Sequence, residues 1–377
     1  MRNRYVVAVF IFAIITVWVI IANMQVYKHP DQHEIRQKVN YLSRMVNTPF
    51  AENLDMIRLK EQNPEWLLFS LSFTTFAMTN IAFRDTNFKA EAVSIIDKAI
   101  QKAVSDTIYK YYFQDRYPFY PVIDTTGSVL YFGHLNMILG CYRLLTGDGK
   151  YNDLNDRISA SLNKRFSESG CLESYPGKIW IADNTVALAS LKIHSDVTGS
   201  EYKNACDEWE TLAKAKYTSR KTGLLCSTVD PVNALPIEET RGSGIGWSIL
   251  FIYRFDTTYA RELYKNYTAK FSTNLGLIRI YKEKFRNYGT GTGDIDSGPV
   301  LFGCSIPANA FAFGDAVAMN DFRKAKQLER LISLGRNTII RNNEISYQTR
   351  WVDMPVSPLA EALFLYFETM TKWELKR

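Results

Sequence analysis

The stretch YFGHLNMILGCYRLLTGDGKY (131–151) contains the repeating unit from which we predict the architecture. It begins as an apolar helix, turns at 146–148 and leads into a more polar helix. Three further segments repeat this arrangement: DNTVALASLKIHSDVTGSEY (183–202), SGIGWSILFIYRFDTTY (243–259) and ANAFAFGDAVAMNDF (308–322). Helical hairpins that recur every ~50–65 residues indicate a repeat architecture, either a ring or a solenoid.

Two more hairpins complete the pattern. Pro64 sets up a helix start before EWLLFSLSFTTFAMTNIAF, and an amphipathic partner begins near Asn87. The final helix, 357–375, pairs best with the N-terminal helix. Six apolar inner helices and six amphipathic outer helices predict an all-α protein, an (α/α)6 barrel. No sustained alternation predicts a sheet, and short pieces such as LIRIY (277–281) are candidates for small hairpin strands in loops.

The N-terminus has the pattern of a transmembrane signal anchor. Arg2 and Arg4 precede an uncharged run over 5–27, long enough to span a bilayer. We therefore divide the chain into an anchor (1–27), a connector and first helix (28–48) and an (α/α)6-barrel catalytic domain (49–377). The positive-inside rule favours a single-pass protein whose body lies on the extracytoplasmic, periplasmic side, with the lipid bilayer as a partner.

Composition excludes several function classes. The net charge of +6 is not clustered, so we expect no nucleic-acid partner. The five cysteines and four histidines have neither disulfide-framework nor zinc-site spacing, so no metal and no cofactor are expected. Aromatic residues make up 14% of the chain, which suits carbohydrate or hydrocarbon ligands but equally an ordinary core. The sequence is compatible with a homo-oligomer.

Long loops between the hairpins indicate where function lies. They cover about 114–127, 167–182, 217–242, 273–304 and 336–356, whereas the turns inside each hairpin are short. In an alternating ring all the long loops emerge at one end, where the inner helices begin. Loops on a rigid scaffold commonly carry function, so we predict the site at that rim.

Two of these loops carry the main polar candidates. ESYPGKIWIADN (173–184) ends in Asp183 and Asn184, and Tyr175 within it is a candidate donor. Asp183 is either an acid or base at the cavity mouth or simply a helix N-cap. In FRNYGTGTGDIDSGPVLFGC (285–304), the carboxylates of Asp294 and Asp296 would face the same way in an extended chain. Such a pair suits glycoside chemistry, cation binding or capping.

Weaker candidates lie elsewhere. Glu239 precedes an inner helix in a segment that also reads as a solvated rim, and Trp351 and Asp353 in RWVDMP precede the last helix. His134 lies in the first turns of an apolar inner helix. A lone buried histidine is usually a hydrogen-bonded core residue, but the inner face of a barrel is also a cavity wall, where an imidazole can act in acid–base catalysis.

Several segments resemble the bacterial linalool dehydratase-isomerase family, whose fold is an (α/α)6 barrel. The resemblance is carried by GHLNMILGCYRLLTGDGKY (133–151) and by ADNTVALASLKIHSDVTGSEYKNACDEW (182–209). It continues more weakly through GWSILF (246–251) and GDIDSGPV (293–300) and returns in SYQTRWVDMPVSPLAEALFLY (346–366). The same ring also serves glycoside hydrolases and sugar epimerases, so the fold alone does not fix the chemistry.

Only some of the family's functional residues have counterparts in this sequence. Its GHLN histidine corresponds to His134. Of its two cysteines, the second falls on Asp183 and the first near Ser174, with Cys171 a few residues away. Its tyrosine before the GW pair falls on Ser243, and its N-terminal Asp and Tyr have no match. These departures argue against linalool as the substrate and against a thiol-assisted mechanism.

Together with the N-terminal anchor, the resemblance leads us to expect a membrane-anchored, cofactor-free acid–base lyase or isomerase acting on a terpenoid-like or hydroxylated small molecule. Asp183 would be the acid or base, His134 its partner and Tyr175 the orienting donor, in a closed apolar pocket. The alternative is a carbohydrate-processing enzyme, a glycoside hydrolase or epimerase, with Asp183 and Asp296 as its carboxylates in an open cleft beside Trp180 and Trp351. The remaining alternative is a non-catalytic, membrane-tethered binding protein. Substrate-binding candidates are Asp294, Ser174, Asn184, Glu239, Trp351 and Asp353.

Overall fold

The structure is a computed structural model that describes residues 2–113, 127–285 and 293–374. Within the first helix, the structure describes the backbone but not the side chains of residues 2–4, 6, 8, 9 and 15. Most of the predicted loop 114–127 and the glycine-rich segment 286–292 lie outside the described residues.

Helices dominate the described residues. They are α1 (Arg2–Met24), α2 (Gln32–Asn47), α3 (Leu54–Gln62), α4 (Glu65–Arg84), α5 (Lys89–Ala103), α6 (Asp106–Phe113), α7 (Val129–Leu145), α8 (Asn152–Ser169), α9 (Ile181–Thr198), α10 (Asn204–Leu212), α11 (Gly242–Phe255), α12 (Thr257–Phe271), α13 (Ile306–Ala318), α14 (Phe322–Gly335) and α15 (Pro358–Glu368).

The helices form a closed double ring. The inner ring runs α4, α7, α9, α11, α13 and α15, each packed on the next, and α15 packs back on α4. The outer ring consists of α5, α8, α10, α12, α14 and α2, the last of which packs on α15. The predicted (α/α)6 barrel is therefore confirmed. All six inner helices begin at one end, called here the mouth end, and the opposite end is called the closed end.

Small residues in the stretch 131–151 explain how closely the inner helices pack. A Cβ atom placed on Gly133 of α7 would lie 3.1 Å from the backbone nitrogen of Ala187 in α9. A Cβ on Gly140 would lie 2.9 Å from a methyl carbon of Ile193. The two helices can approach this closely because neither position carries a side chain.

Short antiparallel strands lie within the loops of the mouth end. β1 (Ile179–Trp180), β2 (Thr228–Val229) and β3 (Pro236–Glu238) form one sheet. β4 (Ser272–Asn274) pairs with β5 (Arg279–Tyr281), which confirms the strand predicted within LIRIY. The predicted loop 336–356 instead contains a hairpin of β6 (Arg336–Arg341) and β7 (Glu344–Thr349). Its turn residues Asn342 and Asn343 have φ angles of 50° and 60°, which asparagine tolerates well.

The helix α1 lies outside the barrel. Its apolar side chains, such as Phe12 and Trp18, are exposed. Among the described residues, α4 alone is long and apolar enough to cross a membrane, but 89% of its apolar window is buried in the barrel. The shorter apolar stretch Phe10–Met24 belongs to α1.

Candidate active site

A cavity of about 1030 Å³ opens at the mouth end of the barrel. The first turns of all six inner helices contribute to its wall, together with the loops 175–180, 225–227 and 295–305. This is the rim at which the sequence placed the site. The wall is acidic on one side and apolar on the other.

The acidic side of the cavity brings together three carboxyl groups. Glu65 begins α4, Asp183 lies in the first turn of α9, and Asp296 lies in the loop before α13; all three line the cavity. The charges of Glu65 and Asp296 both raise the pKa of Asp183. Two predicted residues, Asp183 and Asp296, therefore share one cavity, and Glu65 joins them.

Asp183 has a strongly perturbed carboxyl group in the cavity wall. Burial raises its pKa to about 8, the nearby charges of Glu65 and Asp296 add to the rise, and a hydrogen bond from the Ser174 hydroxyl opposes it. At neutral pH this carboxyl is therefore mostly protonated. The N-cap position of α9 is Trp180, so Asp183 is not the cap of its helix.

Tyr175 links the loop before α9 to the start of α4. Its hydroxyl donates a short hydrogen bond to a carboxylate oxygen of Glu65. Its ring stacks on that of Tyr112, with centroids 6.3 Å apart and planes 10° apart. Burial raises the pKa of Glu65, and the hydrogen bond from Tyr175 partly offsets that rise. Tyr175 thus lines the cavity, and the hydrogen-bond partner of its hydroxyl is Glu65.

Asp294 pairs with an arginine, whereas Asp296 lines the cavity. Arg241 forms a bidentate ion pair with the Asp294 carboxylate: Nη1 donates to Oδ2 at 2.5 Å and Nη2 donates to Oδ1 at 2.8 Å. Although burial acts in the opposite direction, the hydrogen bonds from Arg241 and Ser297 lower the pKa of Asp294 to about 2. Asp294 is therefore an ionised anchor for the loop and is not part of the cavity wall.

The hydrogen-bond network that holds Asp294 extends into the barrel through the carboxylate of Glu283. Arg241 Nε donates to Oε1 of Glu283 at 2.9 Å. The hydroxyls of Ser243 and Ser305 donate to the two oxygens of the same carboxylate at 2.7 and 2.6 Å. These bonds connect the first turn of α11, the N-cap of α13 and the loop that carries Asp296. The network fixes one side of the cavity mouth.

The predicted parallel orientation of Asp294 and Asp296 is wrong. The segment is a tight turn and not an extended chain: Asp294 Oδ1 accepts from the Ser297 backbone at 2.9 Å, and the Gly298 backbone donates to the Asp294 carbonyl at 2.9 Å. Asp294 consequently pairs with Arg241, while Asp296 lines the cavity. Burial and the charge of Asp294 raise the pKa of Asp296.

Aromatic and aliphatic side chains complete the cavity. Trp66, Trp180 and Trp247 lie in its wall, as the carbohydrate alternative predicted for Trp180. The opposite side is formed by aliphatic residues and phenylalanines of α13, α14 and α15. The cavity is thus neither a closed apolar pocket nor a uniformly polar cleft.

Two predicted substrate-binding residues act behind the cavity wall. The Asn184 side chain donates to the carbonyls of Leu172 and Trp180 at 3.0 and 2.8 Å and accepts from the Leu172 backbone at 2.8 Å. It therefore holds the preceding loop on α9. Ser174 is fully buried and orients Asp183. Neither residue lines the cavity.

Three other predicted substrate-binding residues lie on the outer rim. Glu239 is exposed, and Trp351 is 82% exposed. Asp353 is also exposed and accepts a hydrogen bond from Gln348 at 2.9 Å. None of the three belongs to the cavity wall. All three lie in loops that lead to inner helices, and these loops carry their side chains outward.

His134 lies below the cavity in an aromatic cluster. Its ring centroid is 4.9 Å from that of Phe69 and 5.6 Å from that of Trp247, and both of those residues line the cavity above it. The ring is fully buried, its two nitrogens have no hydrogen-bond partner in the part of the chain described, and burial lowers its pKa to about 3. The structure thus shows a neutral imidazole that makes no hydrogen bond to Asp183.

Sequence reasoning missed two residues of the site. Glu65 appeared only as the first residue of a helix, and Arg241 only as part of a solvated rim. A signal existed for Glu65, because it follows Pro64 at the start of an inner helix, as Asp183 lies at the start of another. No local signal pairs Arg241 with Asp294, since 53 residues separate them.

The described residues hold no group of three or more His, Cys, Asp or Glu side chains placed to bind a metal ion. All five cysteines are free thiols, four of them buried.

Comparisons with known proteins place the fold among carbohydrate-processing enzymes. No protein-family model matches the chain. The α-1,6-mannanase GH76A of Salegentibacter sp. HEL1_6 aligns with a TM-score of 0.54 at 12% identity, over 90% of this chain and 99% of that one. Unsaturated glucuronyl hydrolase from Bacillus sp. GL1 aligns with a TM-score of 0.54 at 13% identity, over 89% and 94% of the two chains.

A third similar structure is cellobiose 2-epimerase from Bacillus thermoamylovorans B4167, with a TM-score of 0.52 and 11% identity over 81% of this chain and 87% of that one. At such low identity these likenesses establish the fold and not the chemistry. They are carbohydrate-processing enzymes rather than linalool dehydratase-isomerases.

Proposed function

We propose that this chain is a carbohydrate-processing enzyme of the (α/α)6-barrel type, in which Asp183 is the general acid and Asp296 the general base. The observation that carries the proposal is the pKa of Asp183, raised to about 8 in a cavity that it shares with two further carboxyl groups. A protonated carboxylic acid beside carboxylates is the arrangement that glycoside chemistry requires.

Each residue has a defined part in this proposal. Asp183 donates its proton to the oxygen of the bond that breaks, and Ser174 keeps the carboxyl oriented. Asp296 accepts a proton from the attacking water or from the sugar carbon. Tyr175 holds the Glu65 carboxylate beside them. The ring faces of Trp66 and Trp180 supply apolar surface for a sugar ring.

The test is a screen with defined sugars. Purified protein is incubated with α-1,6-mannooligosaccharides, unsaturated glucuronyl disaccharides and cellobiose, and the products are separated by chromatography and identified by mass spectrometry and NMR. We expect hydrolysis or epimerisation of at least one sugar class by the wild type and loss of that product with Asp183→Asn. Absence of any turnover across the panel would contradict the proposal.

The apolar side of the cavity favours a second candidate, an acid–base lyase or isomerase that acts on a terpenoid-like alcohol. A protonated Asp183 facing aliphatic walls can protonate a hydroxyl group so that it leaves as water. Linalool and geraniol serve as probes, with gas chromatography of the headspace as the readout. Formation of a hydrocarbon or an isomerised alcohol that depends on Asp183 would favour this candidate over the first.

We also propose that α1 anchors the chain in a membrane with the barrel on the extracytoplasmic side. Support comes from its uncharged apolar sequence between Tyr5 and Met24 and from the exposure of its side chains. Protease treatment of intact spheroplasts tests the orientation. The barrel should be digested without lysis of the cells, and protection of the barrel until lysis would contradict the proposed side.

A further inference from the structure

Exposed large apolar side chains are concentrated at the mouth end. Outside α1 and the adjacent Val26, these side chains in the described part of the chain lie on the mouth-end loops or at helix termini there, except Ile340. Ile340 lies beside the β6–β7 turn, where Asn343 accepts hydrogen bonds from Gln37 and Asn40 of α2. Phe302 and Val232 are 85% and 93% exposed. The full set is Leu54, Tyr111, Val232, Leu235, Ile237, Leu275, Ile295, Leu301, Phe302, Ile306, Leu334, Ile340, Trp351, Val352 and Met354. Apolar surface of this extent, concentrated on one face, marks an interaction site.

The helix α1 joins the barrel wall on the flank of this face. The Tyr27 backbone donates to the carbonyl of Phe322, the first residue of α14, at the closed end. Two turns nearer the mouth, Arg330 donates to the carbonyl of Ala22 at 2.6 Å. The same guanidinium also donates to the Leu277 carbonyl between β4 and β5 at 3.1 Å. From Tyr27 back to Ala22 the chain therefore runs along α14 toward the mouth end. Beyond Ala22, α1 leaves the barrel.

The cavity has an apolar arm on the same flank. Beyond the acidic wall it extends between the first turns of α13 and α15 to the outer helix α14, the helix that contacts α1. Most of its lining there is aliphatic or aromatic, namely Ile306, Ala310, Leu331, Ile332, Leu359, Leu363 and Phe364, while Arg336, Thr349 and Ser357 add polar groups. An arm of this kind suits a hydrocarbon chain rather than a second sugar.

We propose that the mouth end rests on the bilayer into which α1 inserts, and that the cavity takes a membrane amphiphile, a sugar head group joined to a hydrocarbon chain. The head group reaches Asp183 and Asp296, and the chain lies in the apolar arm. This inference rests on the proposed function for the nature of the head group. The contact with the bilayer rests on the exposed rim and on the position of α1.

Photocrosslinking tests the contact with the bilayer without requiring activity. The full chain is reconstituted in nanodiscs of phosphatidylethanolamine and phosphatidylglycerol (3:1), with p-benzoylphenylalanine in place of Trp351 or, as the control at the closed end, Glu201. Mass spectrometry then detects crosslinked lipid. We expect lipid adducts from position 351 in at least tenfold excess over position 201. Equal yields at the two positions, or none at 351, would overturn the proposed orientation.

A series of alkyl maltosides tests the apolar arm. Binding to the full chain in nanodiscs is measured by competition with a fluorescent fatty acid analogue, using butyl to decyl chains below their critical micelle concentrations. We expect affinity to rise about two- to fourfold per methylene. Ala360→Phe, which narrows the arm, should flatten that dependence. A flat series in the wild type would overturn the hydrocarbon site.

A kinetic comparison separates this inference from the proposed function. Trp351→Asp/Val352→Asp adds two charges to the rim without touching the cavity wall, and Lys203→Asp makes an equal change at the closed end. On a glycolipid in vesicles the rim variant should lose at least tenfold in activity and the control none. On the matching water-soluble sugar both should equal the wild type. If the rim variant keeps full activity on the vesicle-borne substrate, the docking inference is wrong while the proposed function stands; if no sugar is turned over at all, the proposed function fails.

Discussion

The hydroxyl of Tyr175 donates a hydrogen bond to the carboxylate of Glu65, a residue 110 positions earlier in the chain. The bond fastens the loop before α9 to the start of α4 and lowers the pKa of Glu65 against the rise that burial causes. It therefore opposes the rise in the pKa of a second carboxyl group in the cavity that Asp183 lines.

Tyr175→Phe removes this hydrogen bond while preserving the ring that stacks on Tyr112. The pKa of Glu65 should rise, so the acidic limb of the activity profile should move to higher pH, and kcat should fall about tenfold. Tyr151→Phe is the matched control, because its hydroxyl donates to Asp97 at 2.7 Å away from the cavity. An unshifted acidic limb in Tyr175→Phe would show that Glu65 does not titrate in the activity profile.

Asp183→Asn should lower kcat about 10²–10⁴-fold, the usual range for loss of a general acid or base. The control is Asp196→Asn on the same helix, where the carboxylate is exposed and pairs with Lys192 at 2.5 Å. Activity should be unchanged in that variant. An Asp183→Asn protein that retains more than a tenth of wild-type activity would remove Asp183 from the mechanism.

The same substitution should also change stability in a pH-dependent way. The pKa of Asp183 is about 8 in the folded chain against an ordinary 3.8, so between these values the folded state binds the extra proton. Wild-type stability therefore falls as pH rises through this window, by up to about 5 kcal/mol, and Asp183→Asn avoids that loss. Urea unfolding at pH 4, 6 and 8 measures the free energy of unfolding of both proteins. The value for the variant minus that for the wild type should increase steadily with pH, and a constant difference would contradict the raised pKa of Asp183.

Arg241→Lys should weaken the anchor of the Asp296 loop. Lysine has one ammonium group and cannot form the fork to Asp294 while also reaching Glu283. We expect kcat to fall about tenfold and KM to change less. The reason is that Arg241 acts by positioning Asp296, the proposed general base. Arg220→Lys, at an exposed arginine in the loop after α10, is the control. Equal kinetics in the two variants would contradict the positioning role.

His134→Leu separates the two chemical candidates. If the imidazole is only a buried core group, activity should stay within threefold of the wild type, and stability at pH 7 should rise by about 1 kcal/mol, because two unpaired nitrogens are removed. A drop in activity of a hundredfold or more would instead assign His134 to the reaction, as the resemblance to linalool dehydratase-isomerases implies.

The histidine also makes a prediction for acid stability. Its pKa is about 3 in the folded chain against an ordinary 6.5, so below pH 6.5 the unfolded state binds more protons and wild-type stability falls. The Leu variant should lose less stability between pH 6.5 and 4. Urea unfolding at these two pH values measures the difference.

The repeated hairpins made the barrel predictable, because each apolar helix with a short polar turn leaves a face that only a neighbouring hairpin can cover. The placement of Asp183 followed from the same logic, since the long loops must meet where the inner helices begin. The hairpin β6–β7 was missed because its strands alternate poorly: Ile339 and Ile340 are adjacent, and neither is buried. Its Asn-Asn turn was the available signal.

The side-chain partnerships could not be predicted from the sequence. Asp294 and Asp296 are two residues apart, yet a turn sends one to Arg241 and leaves the other in the cavity. Trp351 and Asp353 precede an inner helix and Asp183 lies in the first turn of another, but the loop of Trp351 and Asp353 faces outward. Whether a rim residue points inward depends on the backbone path of its loop, which local residue types do not specify.

The titration of the Asp183 carboxyl group tests the central claim most directly. Carboxyl ¹³C NMR of protein labelled at aspartate, with Asp183→Asn to identify the signal, gives its pKa, and the pH profile of kcat/KM is measured alongside. The account predicts a midpoint near 8 that coincides with the alkaline limb of the profile. A midpoint near 4, the ordinary value for an aspartate, would show that Asp183 is ionised at neutral pH and is not the general acid.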